Sequence, residues 1–216
     1  MMKTLPLLTA LASALFSVGA AQASVLSNEA IYGPAGTDWK APGQALTLHK
    51  FNPLLGTLNS VHFDWSGQIN SSFWADNPTG QLANVSYTAQ GGMTFNIPSM
   101  TAIQLVFGPQ TGLMAVGAGQ EATQAVDLTG GGATTLLSNW SSFIGVDTFD
   151  VMVLALGTST FNAAGNVDTE VVTSAAARVT VSYDYTPSRN AVPEPTGLAL
   201  VGLALAAAGL ISRRRA

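Results

Sequence analysis

Strict alternation of apolar and polar side chains between Ala177 and Tyr185 constrains the fold of this chain more than any other feature. Apolar and polar residues take turns along the whole segment, ARVTVSYDY. Side chains two residues apart point to the same side of an extended strand, so the pattern predicts an antiparallel strand with one buried face. Such a strand is stable only within a sheet, and the rest of the chain has to supply its partners.

Short apolar segments of this kind recur along the chain. Val61, Phe63 and Trp65 alternate with His62 and Asp64 in the same way. Further strands are predicted at Leu46–Phe51, Leu82–Ala89, Met93–Ile97, Ala102–Phe107, Ala122–Leu128, Phe149–Leu156 and Val167–Thr173. Glycine, proline and asparagine separate these segments, and only Thr134–Phe143 has the pattern of a short helix. The sequence predicts an all-β fold, an antiparallel two-sheet β-sandwich that is either jelly-roll or immunoglobulin-like.

The charge balance and the lack of cysteine exclude several classes of protein. Between residues 24 and 190, four basic residues stand against eleven acidic ones, a net charge of −7 (four minus eleven). With no basic stripe, nucleic acid is excluded as a partner and anionic lipid headgroups are disfavoured. The absence of cysteine excludes disulfides and thiolate metal sites. The glycines at 130–132 lack the lysine of a phosphate-binding loop, so no cofactor is expected.

The first 23 residues have the composition of a secretory signal peptide. A basic start at Met1–Lys3 precedes an apolar stretch at Leu5–Val18. Ala21 and Ala23 then form a small-x-small site of the kind that signal peptidase recognises. Cleavage after Ala23 would leave a mature chain that begins at Ser24. The alternative is an N-terminal membrane anchor, for which the apolar stretch is short.

The tail, residues 191–216, joins three parts whose order indicates an address and a temporary anchor. An apolar run covers Gly197–Ile211, and a membrane helix is expected at 197–212. The run would span about 22 Å as a helix, against a hydrocarbon core of roughly 30 Å. Positive flanks remain on the cytoplasmic side, so the body of the chain is expected outside. The polar motif before the run is Val192, Pro193, Glu194 and Pro195, and the cluster after it is Arg213, Arg214 and Arg215.

This layout resembles the PEP-CTERM sorting signal of Gram-negative bacteria that produce exopolysaccharide. The resemblance covers Val192 to Arg215. It implies processing by an exosortase, a membrane-embedded transpeptidase that cuts near the Pro-Glu-Pro motif. It also implies a transient stay in the inner membrane, followed by transfer to the cell surface or release into the extracellular matrix. A plain C-terminal membrane anchor is the alternative, although it requires neither the motif nor so short a helix.

The segment Leu48–Val61 combines the end of one strand, a turn and the start of another strand. Asn52-Pro53 favours a turn because proline fixes φ and donates no hydrogen bond, and Gly56 permits a second bend. Together with the closing strand at Tyr183–Thr186, this segment resembles the choice-of-anchor domains, most nearly type E. The resemblance covers most of Leu46–Thr186, implies that residues 24–190, left between the signal peptide and the tail, form an all-β surface domain, and assigns it no catalytic residue.

Groups able to act in catalysis are sparse. His62 and Asp64 lie two apart on a predicted strand and therefore point the same way, and His49 is expected on a neighbouring strand. A hydrolase would need a serine beside one of these histidines, and no Gly-x-Ser-x-Gly motif offers one. We interpret the pair as part of a solvated strand face. The prediction is a protein that is not an enzyme, with a secreted hydrolase as an alternative.

Two further features indicate binding of polysaccharide. Trp74 lies in the polar segment Ser71–Gly80, predicted to be a loop, where an exposed indole could stack on a sugar ring. Asn166, Asp168 and Glu170 present oxygens at alternate positions, as an irregular calcium site would, although the glycine of an EF-hand is lacking. The sequence predicts a non-catalytic exported protein of the surface or the exopolysaccharide matrix. A polysaccharide-binding module, with or without calcium, is the alternative.

Overall fold

The structure is a computed structural model that describes residues 23–188, and this part of the chain is almost entirely β-structure. The strands among these residues are β1 (Ser24–Gly36), β2 (Trp39–His49), β3 (Gly56–Asn77), β4 (Ala83–Asn96), β5 (Ile103–Val116), β6 (Gln120–Leu136), β7 (Thr148–Gly157), β8 (Thr160–Ala163) and β9 (Asp168–Pro187). Single 3-10 turns occur at Pro53–Leu55 and Ser141–Phe143, and the described residues contain no α-helix. The predicted all-β class is confirmed.

The strands form two antiparallel sheets. Sheet 1 has the order β1-β9-β3-β6, and sheet 2 has the order β2-β7-β4-β5, with β8 also paired to β4. β8 continues the line of β7 along β4, because β7 pairs with Gly91–Asn96 and β8 pairs with Val85–Thr88. The inward faces of the two sheets share one main core, as the predicted two-sheet antiparallel sandwich requires.

Several predicted segments are parts of longer strands. β4 runs through Gly91 and Gly92 and joins two predicted strands, with a register shift against β5 at that point. β9 likewise joins the two strands predicted at the C-terminal end of the domain. The short helix predicted at Thr134–Phe143 is wrong, since this segment contains the end of β6 and a 3-10 turn. Pairing of β6 with β3 supplies the hydrogen bonds that outweigh its local helical pattern.

Aromatic rings fill the core near the end of β9. The ring centroids are 5.1 Å apart for Phe63 and Phe143, 5.1 Å for Phe143 and Phe149, and 6.2 Å for Phe63 and Phe149. Phe63 and Phe143 are fully buried. Tyr183 of sheet 1 donates its hydroxyl to the carbonyl oxygen of His49 in sheet 2 at 2.8 Å, and burial raises the pKa of that phenol. The ring cluster and this bond tie the two sheets together.

A buried amide fastens the opposite end of the sandwich. Asn77, the last residue of β3, has no exposed surface. Its side-chain nitrogen donates to the carbonyl oxygens of Gln81, Val116 and Gly117 at 2.7, 3.0 and 3.1 Å. Its side-chain oxygen accepts hydrogen bonds from the backbone nitrogen and the hydroxyl of Thr79 at 3.1 and 2.6 Å. Asn77 therefore joins the β3–β4 turn to the β5–β6 turn.

Candidate functional site

The outer face of sheet 1 is long, and it is polar along β3. Along the inner strand β3 the outward residues run from His62 to Asp76, about 46 Å at the usual rise of 3.3 Å per residue. Asn70 donates its side-chain amide to the Asp127 carboxylate, and Gln68 donates to the same carboxylate at 3.4 Å. Amides, hydroxyls and carboxylates arranged in this way can exchange hydrogen bonds with water or with a sugar chain.

Trp74 lies on this outer face within β3, and the prediction of a loop over Ser71–Gly80 is wrong for its first seven residues. Trp74 is opposite Thr123 of β6 and Glu170 of β9. Its indole nitrogen donates to the Glu121 carboxylate at 3.2 Å, and the side chain is half-buried. The sheet and this hydrogen bond hold the indole in one position, which favours stacking on a flat ligand.

The predicted calcium ligands are only partly brought together. Asp168 and Glu170 lie on the same face of β9 and are exposed, and Asp168 is opposite Asp76 of β3. Asn166 precedes the strand and is exposed as well. Within residues 23–188, no group of three or more histidine, cysteine, aspartate or glutamate side chains is placed to hold a metal ion. The calcium site stays a prediction.

His62 and Asp64 do point the same way, as predicted, and they are in contact. His62 Nε2 lies 3.1 Å from the Asp64 carboxylate, and His62 Nδ1 lies 2.8 Å from the hydroxyl of Thr135 on β6. With the Nε2 proton donated to Asp64, Nδ1 accepts the Thr135 hydroxyl proton. The side chain of His62 is 40% exposed and that of Asp64 is 54% exposed, so water competes for every group. The expectation that His49 lies on a neighbouring strand is wrong, because it belongs to β2, which pairs with β7 in the other sheet.

A groove of about 520 Å³ on the outer face of sheet 2 has no counterpart in the sequence-based predictions. Val106 and Leu156 line it and are 84% and 53% exposed. Gly92 of β4 pairs with both residues and leaves the space between them free of a side chain. Lys40 also lines the groove, in a stretch where the register of β2 against β7 shifts. The two consecutive glycines in β4 are the sequence feature from which the groove could have been predicted, but they were interpreted as a break between two strands.

The sorting motif at 192–195, the arginine cluster, Ala21 and the predicted membrane helix all lie outside the described residues. Ala23 is exposed, and β1 begins at the next residue, Ser24. At the other end, β9 finishes at Pro187, five positions before Val192. Between residues 23 and 188, no helix has the length and apolar character that crossing a bilayer would require. The signal-peptide and sorting assignments stay predictions.

Comparison with known proteins gives no family. No protein-family model matches the chain, and no curated protein matches it. Among solved structures, the chain is similar to the structure of infectious bursal disease virus strain Gx. The two share 12% identity, the match covers 88% of this chain and 51% of that chain, and the TM-score is 0.13. It is also similar to the VP2 subviral particle of that virus, with 12% identity, 86% and 48% coverage, and a TM-score of 0.13. The chain spans about half the length of these proteins, and TM-scores this low do not establish a shared fold.

Proposed function

We propose that this chain is an exported, non-catalytic protein of the cell surface or the exopolysaccharide matrix, sorted and processed by an exosortase. The observation that carries the proposal is the tail, in which Pro193-Glu194-Pro195, a short apolar run and an arginine cluster follow in order. The positions of β1 and β9 support it, because the folded body fits between Ser24 and Pro187. The motif thus lies beyond the last strand, where cleavage leaves the sandwich whole.

We also infer that the sandwich is a jelly roll. With β7 and β8 taken as one interrupted strand beside β4, each sheet has four members, and the first and last strands are neighbours in sheet 1. β1 and β2 belong to different sheets. In an immunoglobulin-like sandwich the first two strands share a sheet, so the observed order favours the jelly roll.

Replacing Pro193, Glu194 and Pro195 by alanine is expected to abolish processing, because the exosortase would lose the motif that it reads. The tagged variant should accumulate as a larger precursor in the inner-membrane fraction, and the parent chain should appear at lower mass outside. Mass spectrometry of each fraction measures both properties. Asn190→Ala, just upstream of the motif, is the matched control and should be processed normally. Unchanged mass and compartment in the triple variant would contradict exosortase sorting.

The second candidate function is recognition of polysaccharide by the outer face of sheet 1. The specific observation in its favour is Trp74, which lies among hydrogen-bonding groups on the polar outer side of β3. A sugar ring stacked on the indole would keep hydrogen bonds to neighbouring carboxylates and hydroxyls. Asp168 and Glu170 supply oxygens at one end of this face that a calcium ion could use.

Trp74→Ala is expected to weaken retention on the host's own exopolysaccharide by roughly tenfold, since losing about 1.4 kcal/mol of buried apolar contact changes an equilibrium constant by that factor. Affinity electrophoresis in gels that contain the polysaccharide measures the change. Trp140→Ala, a half-buried tryptophan away from this face, is the control and should leave retention unchanged. Repeating the measurement with a chelator tests the calcium contribution. Equal retention of both variants would exclude Trp74 as the contact.

A further inference from the structure

The end of the sandwich from which the chain leaves carries several exposed apolar side chains. Leu54 and Leu55, in the 3-10 turn before β3, are 81% and 41% exposed. Val146 is 81% exposed, in a loop that is hydrogen-bonded to Phe51 just before that turn. Val25 is 69% exposed at the start of β1, which pairs with the end of β9. Single exposed apolar residues are ordinary, but Leu54, Leu55, Val146 and Val25 all lie at this one end of the sandwich, which is called here the exit-end surface.

The exit-end surface is joined directly to the last described residue. Ser188 donates its backbone N–H to the carbonyl of Leu55 at 2.9 Å, and its hydroxyl donates to the carbonyl of Leu54 at 3.5 Å. Asn52 accepts the backbone N–H of Leu54 at 3.0 Å and caps the turn. The two leucines therefore lie in a hydrogen-bonded turn next to Ser188, three positions before the tail begins at residue 191.

Lys50 and Asp147 next to this surface neutralise each other, and Asp184, opposite Val25, is a further acidic residue at this end. Lys50 Nζ lies 3.0 Å from the Asp147 carboxylate. The hydrogen bond from Lys50 holds the pKa of Asp147 below its usual range, so this carboxylate stays charged at neutral pH. A paired lysine and aspartate offer little net attraction to anionic headgroups and little net repulsion. Contact with a membrane at this end would depend on the apolar side chains.

The length of the segment between Ser188 and Gly197 limits the distance between this surface and the proposed membrane helix. Nine residue steps separate Ser188 from Gly197. Even when fully extended they span about 30 Å. The opposite end of the sandwich is much farther away, because β3 alone covers about 70 Å at 3.3 Å per residue between Gly56 and Asn77. Of the two ends, the exit end is the one held near the bilayer.

We propose that the exit-end surface docks on the lipid bilayer while the tail is uncut, with Leu54 and Leu55 in the interfacial zone. The inference rests on the proposed function, since the tail helix brings the surface to the membrane. Docking would hold the sandwich upright and keep residues 192–195 at a fixed height above the bilayer, within reach of a membrane-embedded enzyme. The partner is the lipid surface itself, which accepts exposed leucines without a complementary pocket.

Site-specific fluorescence on the full chain with its tail intact tests this docking. The chain has no cysteine, so Leu54→Cys carries a single environment-sensitive fluorophore. Leu82→Cys is the matched control, since Leu82 is 65% exposed in the β3–β4 turn at the opposite end. The proteins are reconstituted in vesicles of phosphatidylethanolamine with a minority of phosphatidylglycerol. Nitroxide-labelled acyl chains should quench the label at 54 at least roughly twofold more than the label at 82, because interfacial side chains reach the upper acyl region.

The outcomes separate this inference from the proposed function. If the chain fails to float with the vesicles, the membrane tail itself is wrong, and docking falls with it. If the chain floats and the two labels are quenched equally, the tail stands and the docking proposal is overturned. If the emission of the label at 54 changes only when exosortase is added, the docking proposal is also overturned, in favour of a protein partner. If the emission of the label at 54 changes with protein concentration in the absence of lipid, the docking proposal is overturned in favour of contact with a second copy of this chain.

Discussion

Replacing Asn77 by aspartate is expected to lower the free energy of unfolding by about 3–5 kcal/mol. The new carboxylate would point an oxygen at the carbonyl oxygens of Gln81, Val116 and Gly117, which now accept from the Asn77 nitrogen within 3.1 Å. None of these carbonyls can donate, so this oxygen of the buried carboxylate would have no donor, and only the other oxygen would keep its hydrogen bonds from Thr79. Urea unfolding measures the loss, and the midpoint of thermal unfolding should fall by about 10 °C for a domain of this size.

Asn84→Asp makes the same chemical change on an exposed residue of β4 and should alter stability by no more than about 0.5 kcal/mol. The loss of stability in Asn77→Asp should also shrink as the pH falls towards about 4, because burial raises the pKa of the new carboxyl above its unfolded value and the protonated carboxyl regains a donor. Equal losses in the two variants, or a loss that is the same at pH 7 and in acid, would contradict the role given to the Asn77 amide.

Phe63→Ala is expected to cost about 3–5 kcal/mol, because it opens a cavity where the two sheets meet. Phe63 is fully buried, and its ring packs edge-on against Phe143 and Phe149. Alanine would remove both aromatic contacts and most of the buried apolar volume at this position. The protein should unfold at lower urea concentration, with the same dependence of free energy on urea if both states keep their compactness.

Two companion variants separate the cavity from a general loss of hydrophobic surface. Phe63→Leu keeps most of the volume and should lose roughly half as much stability as Phe63→Ala. Leu82→Ala removes a side chain that is 65% exposed and should stay within about 0.5 kcal/mol of the parent. A Phe63→Leu variant as unstable as Phe63→Ala would show that ring contacts, rather than volume, dominate at this site.

Alternation predicted the strands whose inward and outward residues differ sharply in polarity. β9 is the clearest case, since Val179, Val181 and Tyr183 are fully buried. β1 was not predicted, because Val25 and Ile31 lie on its exposed face and blur the pattern. Tertiary pairing decides such strands: β1 is held by its register with β9 rather than by its own periodicity.

The candidate site was harder to predict than the fold, because polar residues face inward at one place. Ser71 is fully buried and bonds the Ser159 hydroxyl at 2.7 Å, so an inward position carries a polar side chain. Although Phe73 is apolar, the polar residues around it give this segment the composition of a loop. Trp74 was therefore predicted to lie in a loop. The contact of His62 with Thr135 was missed for a related reason, since cross-strand register is set by the whole sheet.

The place of β9 in sheet 1 sets the order in which this domain can assemble. β9 is the last strand of the described chain, yet it lies between β1 and β3. Ser24, at the very start of β1, pairs with Tyr185 near the end of β9. Pairing across such sequence distances is slow, and here it cannot begin until the final strand is available. A chain of this topology can pair β3 with β6 and form sheet 2 from its earlier segments, but it closes sheet 1 only when its last described segment is available.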